Sequence, residues 1–320
     1  MPIDPDLARV LAGMERDGLT PLYRPGPPEA SRERGVQARA RHYPPLRPTV
    51  ATIEDRTISG PAGPVPVRIY EPMTLRPRPV LVYLHGGGWM IGDIDSHDGH
   101  ARRIASRVGA TVVNVGYRLS PEYPFPAGYD DCLAAILWTV GHQRLLGGDG
   151  RVAVGGDSAG GNLAAALCLE MRDRGAALAA QFLLYPAVNL TPAGDLGDAT
   201  DLGYVRSSYL GGRPELATDP RVSPLLAPDL SGLPPAVIGV AEFDQLRHDG
   251  YRYAAALRAA EVEVIFHDGP GMIHGFFGMG GVSVAADRTS DELCAHIKTL
   301  LDSQPSSAPS ALREKEETNA

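Results

Sequence analysis

The sequence predicts an α/β fold with a mostly parallel central sheet and helices on both of its faces. Three observations predict it. Short, largely apolar runs at 79–84, 111–115 and 181–185, the first of them wholly apolar, alternate with longer stretches of helical period. Runs of that kind suit strands covered on both faces, as parallel strands are. Chemically distinctive residues follow three of the runs: a glycine loop after Leu84, Ser158 after Val154 and several acids after Val240. Parallel sheets gather their chemistry at that carboxyl edge. Finally, 320 residues, 43% of them hydrophobic, can bury a core of ample size.

The elements follow in order. Residues 4–18 place Leu7, Val10, Leu11 and Met14 on one helical face. Residues 20–48 are rich in Pro and Arg and read as an extended connection, with a helix near 30–40. From 49 to 70 the pattern is β-like, broken by a turn at Gly60-Pro61. The strand 79–84 runs into His85-Gly-Gly-Gly-Trp89. A helix over about 97–108, the strand 111–115 and, after a Pro-rich connection, a helix over 127–142 come next. Val152 and Val154 mark a further strand, and Leu163, Leu167 and Met171 the helix behind it. Then come a strand at 181–185, an irregular stretch at 187–222, a strand at 236–240 and a helix at 246–260. A strand at 263–266, a glycine-rich loop and a helix at 285–301 complete the pattern. The polar tail from 303 is expected to be disordered.

Composition excludes several functions. Net charge is −8, which disfavours nucleic acid and anionic membrane as partners, because both need a basic face. No apolar run approaches the ~20 residues of a spanning helix, so no integral membrane insertion is expected. The first residues carry neither a basic nor an apolar leader segment, and the expected location is cytoplasmic. Cys132, Cys168 and Cys294 are odd in number and sit in helical patterns, as buried free thiols do.

The chemistry centres on Gly156-Asp-Ser-Ala-Gly160. A G-x-S-x-G pattern arises by chance on the order of 0.2 times in such a chain, so its setting decides its meaning. Here an apolar strand precedes it and a helix follows. A strand reversing that sharply brings the residues two before and two after the serine together, and only glycine tolerates the contact. A serine hydroxyl also needs a base, and the base an orienting acid, in the chain order Ser, acid, His. His274, in the glycine-rich loop after the last strand, is the best placed of nine histidines, with His267 second. Glu242, Asp244 and Asp249 compete for the acid. Asp244 is preferred because it lies in the turn before the helix, although an Asp there can also serve as an N-cap. Gly86-Gly87-Gly88 and the N–H of Ala159 can supply donors to a developing oxyanion, each worth roughly 3 to 4 kcal/mol of barrier. Asp93, Asp95, His97, Asp98 and His100 mix metal-ligand residue types, but a helix start favours Asp anyway, and no metal is expected.

Taken together, these stretches resemble the bacterial esterases of the hormone-sensitive-lipase type. His85-Gly-Gly-Gly-Trp89 looks like the family's oxyanion motif and Gly156-Asp-Ser-Ala-Gly-Gly161 like its nucleophile motif. Tyr117-Arg-Leu-Ser-Pro-Glu-Tyr-Pro-Phe-Pro-Ala127, Asp219-Pro-Arg-Val-Ser-Pro224, Leu233-Pro-Pro235 and Gly271-Met-Ile-His-Gly-Phe276 are similar to further family segments. The resemblance implies an α/β-hydrolase fold with a helical cap. Ser158, Asp244 and His274 would be its catalytic triad, and Gly87, Gly88 and Ala159 would line its oxyanion hole. It implies an N-terminal cap part at 1–48, a catalytic domain at 49–186 and 223–302, a cap insertion at 187–222 and a tail at 303–320. It also implies hydrolysis of short- to medium-chain esters through an acyl-enzyme, without cofactor. Two positions depart from the family pattern after the acid: Gln245 stands where Pro is usual and His248 where Asp is usual.

Trp89 and Tyr185, beside the motifs, are expected to line the substrate pocket. The expected partner is a small-molecule ester, with a homodimer left open. Lactones, carbamates and amides are the alternative substrates at the same site. A non-catalytic ligand-binding protein is disfavoured because all three triad residues are present. A lipase working at lipid surfaces is disfavoured by Asp4, Asp6, Glu15 and Asp17 around the apolar face of the first helix.

Overall fold

The computed structural model describes residues 1–176, 178–196 and 201–306. Eight strands form one sheet: β1 (Thr52–Gly60), β2 (Gly63–Glu71), β3 (Arg78–Leu84), β4 (Thr111–Val115), β5 (Gly148–Asp157), β6 (Ala180–Leu184), β7 (Ala236–Phe243) and β8 (Val264–Ile273). Their spatial order is β1-β2-β4-β3-β5-β6-β7-β8, and β2 alone runs against the others. The helices are α1 (Pro5–Arg16), α2 (Pro28–His42), α3 (Asp98–Val108), α4 (Ala127–Gly141), α5 (Ala159–Asp173), α6 (Asp201–Leu210), α7 (Arg247–Ala259) and α8 (Val284–Ser303).

The central strands are largely apolar because both of their faces are covered. Alternate residues serve opposite layers. Val80, Val82 and Leu84 of β3 pack with Cys132, Leu163 and Leu257 from α4, α5 and α7. Leu81 and Tyr83 of the same strand pack with Ile104, Leu293 and Ile297 from α3 and α8. Burying a Leu or Ile side chain is worth about 1.5 to 3 kcal/mol. Helix–sheet packing of this kind therefore outweighs helix propensity, which spans well under 1 kcal/mol among ordinary residues.

Strand order decides where the site lies. The chain passes from β3 outward to β4 and then crosses back to β5 on the other side of β3. The loops leaving β3 and β5 thus flank a switch point, where crevices form. The parallel pairing that ends with Leu84 opposite Gly156 brings the glycine loop beside the serine turn.

Two expectations need correction. β8 does not stop at 266. It continues to Ile273 through a register shift between Ala241 and Phe243 on β7. Gly269 makes the close approach possible, since a Cβ there would lie 2.8 Å from the Val240 carbonyl oxygen. His274 therefore follows a strand rather than standing in a long loop. The stretch read as irregular contains α6 and a 3₁₀ turn at Pro214–Thr218. Leu202, Val205 and Tyr209 carry its helical repeat, which Gly203 and the Gly211-Gly212 pair obscure. The expected tail begins within α8; its residues 307–320, and residues 197–200 of the insertion, lie outside the described residues.

Candidate active site

Ser158 stands between the end of β5 and the first residue of α5, at φ 55° and ψ −115°. A positive φ is uncommon for a non-glycine residue and is held here by its surroundings. Its N–H donates to the Leu184 carbonyl at 2.8 Å. The glycines are required by space. A Cβ on Gly160 would lie 1.9 Å from the Leu84 carbonyl oxygen, and one on Gly156 would lie 2.5 Å from Gly160.

The serine hydroxyl lies 3.0 Å from Nε2 of His274, and Nδ1 of His274 lies 2.8 Å from Oδ2 of Asp244. A carboxylate can only accept, so Nδ1 carries the proton and Nε2 is free to accept from Ser158. Asp244 is held in turn: its Oδ1 accepts from the Leu246 N–H at 2.8 Å, and its side chain is 1% exposed. Burial works against a charged His274, yet the charge and hydrogen bond of Asp244 prevail and lift its pKa above the ordinary value.

The competing residues lie elsewhere. Glu242 accepts from the Gly271 N–H at 2.7 Å and pairs with the amino group of Met1. Asp249 is fully buried in α7, where it accepts from the Asn189 N–H at 3.2 Å; its pKa is pushed up to about 6 by burial and the nearby Asp195 charge. His267 faces Glu292 at 3.7 Å.

The loop after β3 presents its backbone to the same place. Gly87 has φ 119° and Gly88 φ 58°, and a Cβ on Gly87 would lie 2.2 Å from the Ile91 carbonyl oxygen. Among the described residues, the N–H groups of Gly87, Gly88 and Ala159 donate to no protein acceptor. Gly88, Ser158, Ala159, Asp244 and His274 open onto one cavity of about 310 Å³. Its remaining walls are almost wholly apolar. Ile3, Leu11, Leu22 and Tyr23 come from the N-terminal segment, and Leu196, Leu202 and Val205 from the stretch after β6. Tyr23 and Val205 close over the glycine loop, since a Cβ on Gly88 would lie 3.1 Å and 2.7 Å from them.

Trp89 lines this cavity and stacks on Tyr209 with ring centres 4.2 Å apart. Tyr185 does not line it. Its side chain is fully buried beneath the site and lies against the His274 ring at 4.8 Å, because Tyr185 follows directly on β6 and turns inward. The expected metal-like stretch also divides. Asp93 accepts from the Ser96 N–H, Asp95 pairs with Arg68, and Asp98 pairs with Arg102. His97 and His100 instead meet Asp157, with candidate ligand atoms within 4.8 Å of one another. Sequence reasoning had no signal for that grouping, nor for Tyr23 and Val205, because each depends on elements far apart in the chain.

The arrangement can withdraw a proton from a serine hydroxyl and offer backbone donors to a nearby negative oxygen. Comparison with known proteins gives the family. A family model described as alpha/beta hydrolase fold matches residues 81–278. Esterase LipI of Mycobacterium tuberculosis (strain ATCC 25618 / H37Rv) is 39% identical over 282 residues, covering 83% of this chain and 88% of the relative. Carboxylesterase NlhH of the same strain is 42% identical over 266 residues, covering 78% and 83%. A solved esterase of Pyrobaculum calidifontis superposes with a TM-score of 0.84 at 34% identity, covering 93% of this chain and 99% of the other.

Proposed function

This chain belongs to the α/β-hydrolase family, among its hormone-sensitive-lipase-type esterases, and from that premise we propose a Ser158–His274–Asp244 mechanism for the carboxylic ester hydrolysis it performs. The observation that carries the assignment is the unbroken relay, 3.0 Å from Ser158 to His274 and 2.8 Å from His274 to Asp244.

Ser158 Oγ attacks the ester carbonyl while His274 Nε2 takes its proton. Asp244 fixes the tautomer and stabilises the imidazolium. The carbonyl oxygen turns negative and is met by the N–H groups of Gly87, Gly88 and Ala159. As the intermediate collapses, His274 returns the proton to the leaving alcohol and an acyl-serine remains. Water, activated by the same imidazole, then releases the acid.

The substrates are neutral esters with short to medium acyl chains. Two features support this. Among the described residues, the cavity walls carry no charged side chain other than those of Asp244 and His274, and its volume of about 310 Å³ is small. Ligand pockets run from roughly 300 to 1,000 Å³. Residues 1–48 and 187–222 act together as a cap, a reading supported by the apolar side chains both contribute to the cavity. Among the described residues no helix is long and apolar enough to cross a membrane. Action in the cytoplasm is supported by three fully buried free thiols, Cys132, Cys168 and Cys294, which suit a reducing compartment.

Hydrolysis of p-nitrophenyl esters from acetate to palmitate, with Ser158→Ala beside the wild type, tests the proposal. Activity peaking at short to medium chains and abolished by the substitution is expected. Substantial activity in Ser158→Ala would remove the nucleophile from the scheme.

A further inference from the structure

The carboxylate next to the serine takes no part in the relay, yet it is buried and both of its oxygens are engaged. Asp157 is 6% exposed. Its Oδ1 accepts from the Gly86 N–H at 2.9 Å and from the Tyr83 hydroxyl at 2.7 Å, and its Oδ2 lies 3.5 Å from Nε2 of His97. Burial pushes this carboxyl up. The charges of His97 and His100, with hydrogen bonds from His97 and Tyr83, overcome that and hold it well below the usual carboxylate range.

These partners come from separate parts of the chain. Tyr83 belongs to β3, Gly86 to the glycine loop, and His97 to the residue that precedes α3. His97 is itself fixed, with Nδ1 2.9 Å from the Ser96 hydroxyl and its ring 5.3 Å from that of His85. The contact between loop and turn is tight, since a Cβ on Gly86 would lie 2.3 Å from Oδ2 of Asp157. Sheet pairing between β3 and β5 ends with Leu84 opposite Gly156. Beyond that pair, the bond from Gly86 to Asp157 continues the link between the two segments.

Oxyanion stabilisation needs both segments at once. Ala159 offers its N–H from the serine turn, while Gly87 and Gly88 offer theirs from the loop. The donors help only if they converge on one oxygen before the reaction begins. We propose that His97 and Asp157 form a buried positioning pair that sets the spacing between the Ser158 turn and the Gly86–Gly88 loop, so that the three donors converge. The proposal rests on the reading of Ser158 as nucleophile and of those N–H groups as the oxyanion site. Neither residue touches substrate; both act through the backbone they hold.

The test compares wild type, Ser158→Ala, His97→Leu, His97→Gln and Tyr83→Phe. The measurements are kcat and KM for p-nitrophenyl butyrate, inhibition by an aryl trifluoromethyl ketone, and thermal unfolding. The ketone adds to the serine and places an oxyanion where the ester's would be. Displacing donors by a fraction of an ångström to an ångström is expected to lower kcat of His97→Leu about 10- to 100-fold, with KM within about threefold. Ketone inhibition weakens by the same factor as kcat/KM. His97→Gln keeps an N–H able to reach Asp157 and recovers to within about fivefold of wild type. Should His97→Leu fail to fold, Tyr83→Phe carries the test, losing about 3- to 10-fold in kcat at constant KM.

Three results would overturn the pair. One is a folded His97→Leu, or in its place Tyr83→Phe, with kcat within about twofold of wild type. The second is a kcat loss without matching loss of ketone affinity. The third is activity of EDTA-treated wild type that rises with added zinc, which would make His97, His100 and Asp157 a metal site. Ser158→Ala separates the two levels. Activity surviving there sinks the nucleophile reading, whereas abolished activity there, with His97→Leu unaffected, sinks the positioning pair alone.

Discussion

Replacing Asp244 by Asn isolates the charge that organises the relay. The Asn carbonyl can still accept from the Leu246 N–H, as Oδ1 does now at 2.8 Å. The amide nitrogen then faces Nδ1 of His274, where Oδ2 stands at 2.8 Å. Two donors cannot share that line, so His274 moves its proton to Nε2. That nitrogen then points an N–H at Ser158 and cannot accept. Serine hydrolases with this defect lose about 10⁴-fold in kcat, which is about 5.5 kcal/mol of barrier. KM for p-nitrophenyl butyrate should change little, because Asn keeps the shape of the Asp244 side chain and the apolar walls are untouched. The pH profile gives a second, independent reading. In the wild type the acid limb of kcat/KM should fall above pH ~6.5, the ordinary histidine value, because Asp244 raises His274. In Asp244→Asn the lift from Asp244 is gone; burial, the larger of the two remaining effects, outweighs the pull of the Asp157 charge and lowers the residual limb. The same linkage acts on stability. The folded protein binds the His274 proton more tightly than the unfolded chain does. The pair therefore adds stability below pH ~6.5, and that contribution fades as pH rises through the raised folded value. A variant within about tenfold of wild type, or one whose acid limb has not moved, would refute the reasoning. Glu242→Gln and Asp249→Asn would then be the next variants to assay.

Other expectations can be checked alongside. Gly160→Ala should lose about 3 kcal/mol or more of stability in urea unfolding, because its Cβ would sit 1.9 Å from a backbone oxygen. Gly88→Ala should keep its fold but lose about 10- to 100-fold in kcat, as the new methyl would press on Val205 and Tyr23, two side chains able to give way, at a φ of 58°. Asp249, raised to about 6 by burial and Asp195, contributes stability below its unfolded pKa that is lost as pH rises through about 6. Asp249→Asn should therefore flatten the stability profile between pH ~4 and ~6.5, by up to about 3 kcal/mol. A thiol reagent should find no reactive cysteine in the native protein and all three after unfolding, since Cys132, Cys168 and Cys294 are fully buried.

The linear sequence determined the architecture because burial leaves a periodic trace. Apolar runs at β3, β4 and β6 name themselves as strands covered on both faces. The glycines around Ser158 record a steric requirement that any folded form of this turn must meet: a Cβ on Gly160 would lie 1.9 Å from the Leu84 carbonyl oxygen, and one on Gly156 2.5 Å from Gly160. Chain order and turn position also singled out Asp244 and His274, the two residues that reach Ser158 through hydrogen bonds. The helix α6 was legible only in part, because Gly203 and the Gly211-Gly212 pair interrupt the pattern that Leu202, Val205 and Tyr209 begin. Other matters were settled by tertiary structure alone. Tyr185 looked like a wall of the pocket, but the direction of the chain leaving β6 turns its ring beneath His274. β8 ran past its apolar stretch because β7 offered it a partner as far as Phe243. Asp157 stood within the nucleophile motif without a role of its own, and His97 among residues of mixed metal-ligand type, until strand crossover laid β3, β5 and the start of α3 side by side. Spacing along a chain records which residues must be buried and where the backbone must turn. Which buried groups face one another depends on strand order and register, and those are fixed only when the whole sheet has closed its layers.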